Sequence, residues 1–575
     1  MRWFYGLALA SLTNAHECCT AKRDNGDSAS TSAAAQSLID RGVLALGGLE
    51  NMANITTMTY NPHGSSSLAR AHSSRSIYRS KSMLETFGLV GVDIAFSSAG
   101  SQNISFSFED SFVKQRIDRS HQLGSYWSFA RPTLPAMDFS VVVHGGDEGF
   151  ASVVRGSTVV FAPGAPPSGF TDGFLASYLI REANRMSPLL LLEIMSNNKS
   201  SVRQEMIGSH TSLPAGKMLI LLQIYDDRLG LSVIFDPLTD LPYIIRSHEG
   251  HGILGNSTLN LVLQNYTTVS GVKFPTRFKS VYNDHMVIME YTVRDILLNT
   301  VANATFDAPG DRKLENSPAT SSLYTSTEVG EYYESALWLG RYRGTFEQIR
   351  AFNPSPDLPG LWVLVFQDYD NYRQIVYEFK NHVIVMDCPP HQSLLVTRWV
   401  KEKLRKRIKY IWPSHHHHDH TWGITDYVQA GAKVLTLDFA REYYGAAPQN
   451  KFVTYSTKRP FQTQEGNMQL SFVHMERSVH ASGYSYAFAT TKCPTANSTV
   501  VLFDADDYNP IVGLASGEHF ELTQALHAMA QDGVPKNAIW QPAHGEAVPL
   551  HTLATAVGYT YPELTTLDFK YLQKC

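Results

Sequence analysis

Along residues 218–293 short apolar runs alternate with turn-forming residues, which is the spacing of β-hairpins. Met218-Leu219-Ile220-Leu221-Leu222 and Leu231-Ser232-Val233-Ile234-Phe235 flank Asp226-Asp227-Arg228-Leu229-Gly230, and Val272 to Val281 faces Met286 to Val293 across Asn283-Asp284. Phe174 to Met195 carries apolar residues at helical spacing with a break at Pro188, and Ala35 to Ala45 predicts a helix stopped by Gly47-Gly48. Past residue 335 short β runs alternate with helical stretches, as in an α/β unit. The stretch from Asp307-Ala308-Pro309-Gly310 onward, rich in Ser, Thr and Glu, reads as a linker. The pattern predicts an α+β chain: a leader at 1–35, a β-rich domain with helices at 36–306, a linker at 307–334 and a second domain at 335–575. No internal repeat of fixed period stands out.

Composition narrows the function classes. Of 575 residues 43% are hydrophobic, enough to fill real cores, so wholesale disorder is excluded. A formal charge of -5 leaves no polybasic footprint and makes nucleic acid a poor partner. The one basic run, Lys401-Glu402-Lys403-Leu404-Arg405-Lys406-Arg407, reads as the solvated face of a helix. No apolar stretch reaches 18 residues, so no membrane span is expected. Arg2, the apolar run Trp3 to Leu12 and Thr13-Asn14-Ala15 suit a cleaved signal segment, which predicts secretion, with a cytoplasmic chain as the alternative. Asn-x-Ser/Thr acceptors at Asn54, Asn103, Asn198, Asn256, Asn265, Asn303 and Asn497 matter if the chain is secreted, and predict a glycoprotein. Five cysteines (Cys18, Cys19, Cys388, Cys493, Cys575) make neither a zinc finger nor a disulfide framework.

The chemistry concentrates in Trp412-Pro413-Ser414-His415-His416-His417-His418-Asp419-His420-Thr421-Trp422-Gly423. Packed imidazoles repel on protonation and gain little from burial, whereas a divalent cation gives them a common partner. In an extended segment alternate side chains share a face, so His415, His417 and Asp419 converge, and His420 adds an imidazole from the turn that follows. Upstream, Val383-Ile384-Val385-Met386-Asp387 predicts a strand, Ser393 to Leu404 a helix and Ile408 to Trp412 a second strand running into the histidines. Downstream come a helix ending near Ala430-Gly431-Ala432 and the strand Lys433 to Thr436.

This His-x-His-x-Asp-His phrase in that setting resembles the metallo-β-lactamase-fold hydrolase superfamily, over about residues 350–550. The resemblance implies an αβ/βα sandwich for the second domain and two metal ions. His415, His417 and His480 would hold one; Asp419, His420 and His544 the other; Asp506 would lie between them. His480, before Ala481-Ser482-Gly483, suits the third ligand better than His474, and Asp506, after Ala505, suits the bridging carboxylate better than Asp504, expected to face away from Asp507 in an extended chain. His544 sits in Pro542-Ala543-His544-Gly545 after a predicted helix, Leu522 to Gln531, and strand, Ala538 to Trp540. Asp387 is the expected outer hydrogen-bond partner of a ligand histidine. In the first domain, Phe235-Asp236-Pro237-Leu238-Thr239-Asp240-Leu241-Pro242 and Tyr266 to Pro275 resemble phrases of lipoprotein-carrier-like half-barrels, in which a curved sheet wraps around helices.

The resemblance further implies a dinuclear zinc hydrolase, with iron or manganese as other metals, in which a metal-bridged hydroxide attacks an ester, lactone or thioester of a small-molecule substrate in preference to a phosphodiester. Asp419 is the candidate for orienting the nucleophile or passing a proton. Tyr508 either points a phenol at the substrate or packs after its strand, and Phe366 to Tyr372 either lines the cleft or forms a hairpin. No Gly-x-Ser-x-Gly elbow offers a serine nucleophile. The competing expectations are a mononuclear iron dioxygenase of the same fold and a ligand-binding protein with an idle metal domain. The sequence does not speak to oligomeric state.

Overall fold

A computed structural model describes residues 28–63, 67–70, 98–110, 112–123, 137–146, 148–155, 169–170, 173–196, 200–207, 219–251, 253–283, 286–308, 345–366, 372–389, 392–508, 516–573 and 575. Residues 1–27, Asn198 and the linker from 309 onward therefore lie outside the described residues. Within them the chain is mixed α and β with three sheets of 15, 7 and 6 strands.

The largest sheet takes all its strands from residues 57–298 and runs from Gly169–Phe170 at one end of its strand order to Ser200–Ile207 at the other. Leu219–Asp226 pairs antiparallel with Leu231–Phe235, and Val272–Tyr282 with Met286–Thr292, as the hairpin signals anticipate. Four helices, Ser28–Leu46, Leu49–Ala53, Gly173–Met186 and Leu190–Met195, pack on one face. The helix Ser28–Leu46 buries Ala35, Leu38, Ile39, Val43 and Leu46, a single stripe at helical spacing, and Gly173–Met186 buries Ala176, Leu179, Ala183 and Met186 in the same way. These side chains join Ile104, Ile117, Val233, Leu261 and Phe278 of the sheet in one core. A Cβ on Gly42 would lie 2.6 Å from the Phe235 ring, so glycine lets this helix approach the sheet closely. The first helix starts at Ser28, seven residues before Ala35, inside the stretch read as a leader. Ser28 to Ala35 is polar enough to look like a leader, yet Ala33, Ala34 and Ala35 are strong helix formers and carry the helix into it.

Residues 349–549 form the other two sheets. In the seven-stranded sheet Ile349–Phe352, Leu361–Phe366 and Arg373–Glu378 run antiparallel up to His382–Met386, and that strand, Arg407–Trp412, Lys433–Leu437 and Phe452–Tyr455 then run parallel. The helix Ser393–Trp399 and a wider π turn, Val400–Leu404, cross between the first two of these parallel strands, and Arg405 ends the turn in left-handed backbone. Lys401, Lys403 and Arg407 of the basic run are exposed, a solvated face.

The six-stranded sheet packs face to face on the seven-stranded one: Val363, Val385, Trp412 and Leu435 share a core with Leu470, Phe472, Ala487 and Phe503, the Trp412 and Phe472 rings lying 4.5 Å apart. Val396, Trp399, Tyr427 and Val428 cover the far side of the first sheet from its helices. Helices Ser516–Gln531 and Leu550–Ala556 cover the far side of the second through Leu522, Leu526, Met529 and Leu553. Helix, sheet, sheet, helix is the resulting layer order. Cys493 and Cys575 form a disulfide that ties the last residue to the loop after Ser485–Thr491, a pairing that spacing across 82 residues does not signal.

Candidate metal centre

Five chain segments reach the site at one edge of the packed sheets. Asp387 follows the strand His382–Met386, His415 to His420 follow Arg407–Trp412, and His480 lies between Met468–His474 and Ser485–Thr491. Asp506 follows Val500–Phe503, and His544 follows Ile539–Gln541. Parallel strands end side by side, so residues far apart in sequence emerge together there. A backbone bond from Ser485 N to Ser414 O, 3.0 Å, stitches the two sheets beside the site.

Asp506 is the centre of the cluster. Its Oδ2 lies 2.9 Å from His480 Nε2, 3.1 Å from His420 Nε2 and 3.5 Å from His415 Nε2, while its Oδ1 lies 3.0 Å from His544 Nε2. His480 Nε2 is 3.1 Å from His417 Nδ1, and Asp419 Oδ2 is 3.5 Å from His420 Nε2 and 3.8 Å from His544 Nε2. Two groups of four donors result, His415, His417, His480 and Asp506, then Asp419, His420, Asp506 and His544, each with its donor atoms within 4.8 Å of one another. All seven candidate ligands thus come together, and Asp506 belongs to both groups. His474 lies apart, its ring bonded to Thr457 Oγ1 and Ser482 O.

The donor set, imidazole and carboxylate, suits divalent cations. His415, His417 and His420 are 1%, 3% and 0% exposed, and His415 Nε2 is buried without a hydrogen bond. Burial favours neutral imidazole, and it holds His415 well below the ordinary range, helped by His420 and His480. For His420 burial is outweighed by Asp506, Asp419 and Asp387, which push it well above that range. Burial also opposes charge on His480, but Glu521 and Asp506 raise it to about 9. Asp506 is held well below the ordinary carboxylate range, against burial, by His420 and His544.

Outer partners fix the rings. Asp387 Oδ2 accepts from His420 Nδ1 at 2.7 Å, while its Oδ1 accepts from Ser414 N at 2.7 Å. Asp387 adopts φ 55°, a left-handed backbone that aspartate tolerates better than most residues. Ser414 Oγ lies 3.0 Å from His415 Nδ1. Glu521, on the helix Ser516–Gln531, sits 2.6 Å from His480 Nδ1, so each group of donors contains one histidine backed by a carboxylate. Nothing in the helix pattern marks Glu521 beforehand.

Tyr484 OH donates to Asp504 Oδ1 (2.9 Å) and accepts from Asp506 N (2.6 Å) and Asp507 N (3.2 Å), which shapes the turn bearing Asp506. Asp504 and Asp507 do not face away from each other. The strand ends at Phe503 and the chain bends, so Asp507 N donates to Asp504 Oδ1, and burial raises both carboxyls.

The Tyr508 ring packs on the apolar cluster beneath the helix Ser516–Gln531. The phenol placed against a candidate ligand is instead Tyr372, whose OH donates to Asp419 Oδ2 at 3.3 Å and whose ring meets His544 edge-on at 4.5 Å. Tyr372 ends the aromatic phrase noted in the sequence, of which residues 367–371 lie outside the described residues.

No protein-family model matches the chain, and no curated protein matches it. Among solved structures it is similar to a metallo-β-lactamase from Pontibacter korlensis, at 16% identity over 37% of this chain and 98% of that one, TM-score 0.29. It is likewise similar to one from Hirschia baltica, at 17% over 38% and 99%, TM-score 0.28. BJP-1, a subclass B3 metallo-β-lactamase of Bradyrhizobium japonicum, is similar at 19% over 36% and 91%, TM-score 0.25. Part of this chain is thus similar to metallo-β-lactamase-fold proteins.

Proposed function

We propose that the C-terminal unit is a metal-dependent hydrolase with two divalent cations, zinc first among them, acting on an ester, lactone or thioester of a small organic molecule. One observation carries the reading: a single buried carboxylate, Asp506, is shared by two complete groups of four donors. His415, His417 and His480 with Asp506 would hold one cation, and Asp419, His420 and His544 with Asp506 the other. Bound there, such ions supply Lewis acidity and lower the pKa of water towards neutrality. Asp387 and Glu521 occupy the Nδ1 side of His420 and His480 and leave each Nε2 facing inward. Tyr372 orients the Asp419 carboxylate, whose position suits it to hold a proton in transit. The second donor group supports two ions over the single iron of a dioxygenase.

The fifteen-stranded sheet with helices on one face is consistent with a half-barrel-like domain, and we propose that role for residues 36–306. We also propose passage through a secretory compartment. Asn54, Asn256, Asn265, Asn303 and Asn497 are exposed, whereas Asn103 is half-buried, and the Cys493–Cys575 disulfide suits an oxidising environment. Among the described residues no helix is long and apolar enough to cross a membrane.

The test is elemental analysis of the purified full chain paired with a panel of esters, lactones, thioesters and phosphodiesters. Two zinc per chain with acyl-bond turnover supports the proposal. One iron with oxygen uptake, or metal without turnover on any member, rejects it.

A further inference from the structure

The hairpin Pro242–His251 with Gly255–Val269 of the N-terminal sheet reaches into the C-terminal unit. Ile253, at its tip, is 1% exposed and belongs to the core of the seven-stranded sheet rather than to the core of its own. Ala446 N donates to Ile253 O at 3.0 Å. Beside this bond two glycines cross backbone to backbone: a Cβ on Gly255 would lie 2.8 Å from Gly445 O, and one on Gly445 would run into Leu254 O. The tip is tied within itself: His251 Nδ1 accepts from both Ile253 N and Leu254 N at 3.1 Å. The same imidazole meets the Trp422 ring edge-on at 5.4 Å.

Both docking points adjoin candidate ligands. Trp422 stands two residues after His420, and Gly423 N is held by Cys388 O at 2.9 Å. Tyr443, two residues before Gly445, packs its ring 4.4 Å from His416 and places its OH 3.2 Å from Ser482 Oγ, two residues past His480. We infer that the tip around His251 and Ile253 is a positioning element of the metal centre, so that the N-terminal sheet holds the loops bearing His415–His420 and His480 in place. The inference uses the metal-site reading for one of its two readouts.

The experiment uses the full chain with Gly445→Val at the crossing, Ile253→Ala and His251→Ala at the tip, and Leu238→Ala, an exposed turn residue elsewhere, as control. Calorimetry should show the transition of the C-terminal unit falling by about 5–15 °C in Ile253→Ala, as expected for an emptied core site. Competition with a zinc chelator, well below melting, should show metal held about two- to thirtyfold more weakly in His251→Ala and Ile253→Ala. Leu238→Ala should match wild type in both. Melting and competition curves of Ile253→Ala and His251→Ala that superimpose on the control would overturn the inference, whatever Gly445→Val does. If the wild-type chain takes up neither zinc nor cobalt, the metal reading fails and the calorimetric comparison alone decides the docking.

Discussion

Replacing Glu521 by alanine removes the acceptor at His480 Nδ1, 2.6 Å away, and leaves the other carboxylate-backed histidine, His420, untouched. The loss has two parts. A charge-assisted bond that fixes the ring disappears, and the basicity that Glu521 lends to His480 falls with it. Losing such an outer partner weakens metal binding by about 10- to 100-fold, or about 1.4–2.7 kcal/mol. The metal-free chain should respond as well. There Glu521, with Asp506, raises His480 to about 9 against burial, so its removal takes the partner from a buried ring and should lower the metal-free stability, offset in part by relief of its repulsion with Asp507. The assay is chelator competition resolving the two sites, with melting of the metal-free protein in parallel. The expected result is one weakened site, one unchanged site and a lowered metal-free melting temperature, with Glu521→Gln intermediate because it keeps an acceptor without the charge. Equal weakening of both sites, or of neither, refutes the reasoning.

His417→Ala should remove at least one metal and most turnover on the substrate panel while the N-terminal unit melts as before, and full retained activity would count against the site. Tyr372→Phe deletes the bond to Asp419 at 3.3 Å; metal content should hold while kcat falls about tenfold at constant KM, equivalent to about 1.4 kcal/mol. Unchanged kcat would remove Tyr372 from the chemistry. Leu526 is fully buried under the six-stranded sheet, so Leu526→Ala should cost about 2–5 kcal/mol in urea denaturation. Stripping metal with chelator should lower the melting transition of the C-terminal unit and spare the N-terminal one, since a ligand bound only by the native state stabilises that state; equal shifts of both transitions would contradict the placement.

The histidine tract was readable because its flanking strands act locally: Val383 to Met386 is a continuous apolar run, as a strand buried on both faces requires, and Ile408 to Trp412 is apolar but for Lys409. The tract itself bends and turns helical at His418–Thr421, so Asp419 joins His420 and His544 rather than His415 and His417. His480, Asp506 and His544 were legible through the family resemblance of their phrases, although their convergence depends on packing that no local pattern encodes. Where the chain leaves regular structure, the reading by alternation fails. Asp504 and Asp507 share a side because the backbone bends after Phe503. Glu521 looks like any exposed helical acid until the helix is docked. The pairing of Cys493 with Cys575 depends on where the C-terminal tail returns, which spacing does not reveal.

The charges at the site make the strongest argument that the cluster is more than structural. Two carboxylates, Asp419 and Asp506, lie among five largely buried imidazoles, and two more carboxylates, Asp387 and Glu521, stand directly behind. Without a cation the carboxylates pull His420 and His480 toward the charged form against burial, and the imidazoles do the same to Asp506. Protonated rings so close together repel, and His415, driven the other way, stays neutral with an unbonded Nε2. Apolar side chains of similar volume would hold the two sheets together at least as well, because a buried ionic cluster rarely repays its desolvation. What apolar residues cannot do is present several inward-facing nitrogens and a shared carboxylate to one small volume. A cation placed there satisfies His415 together with the rest and displaces the protons that keep the neighbouring rings apart, so the arrangement makes energetic sense as a binding site and poor sense as a core.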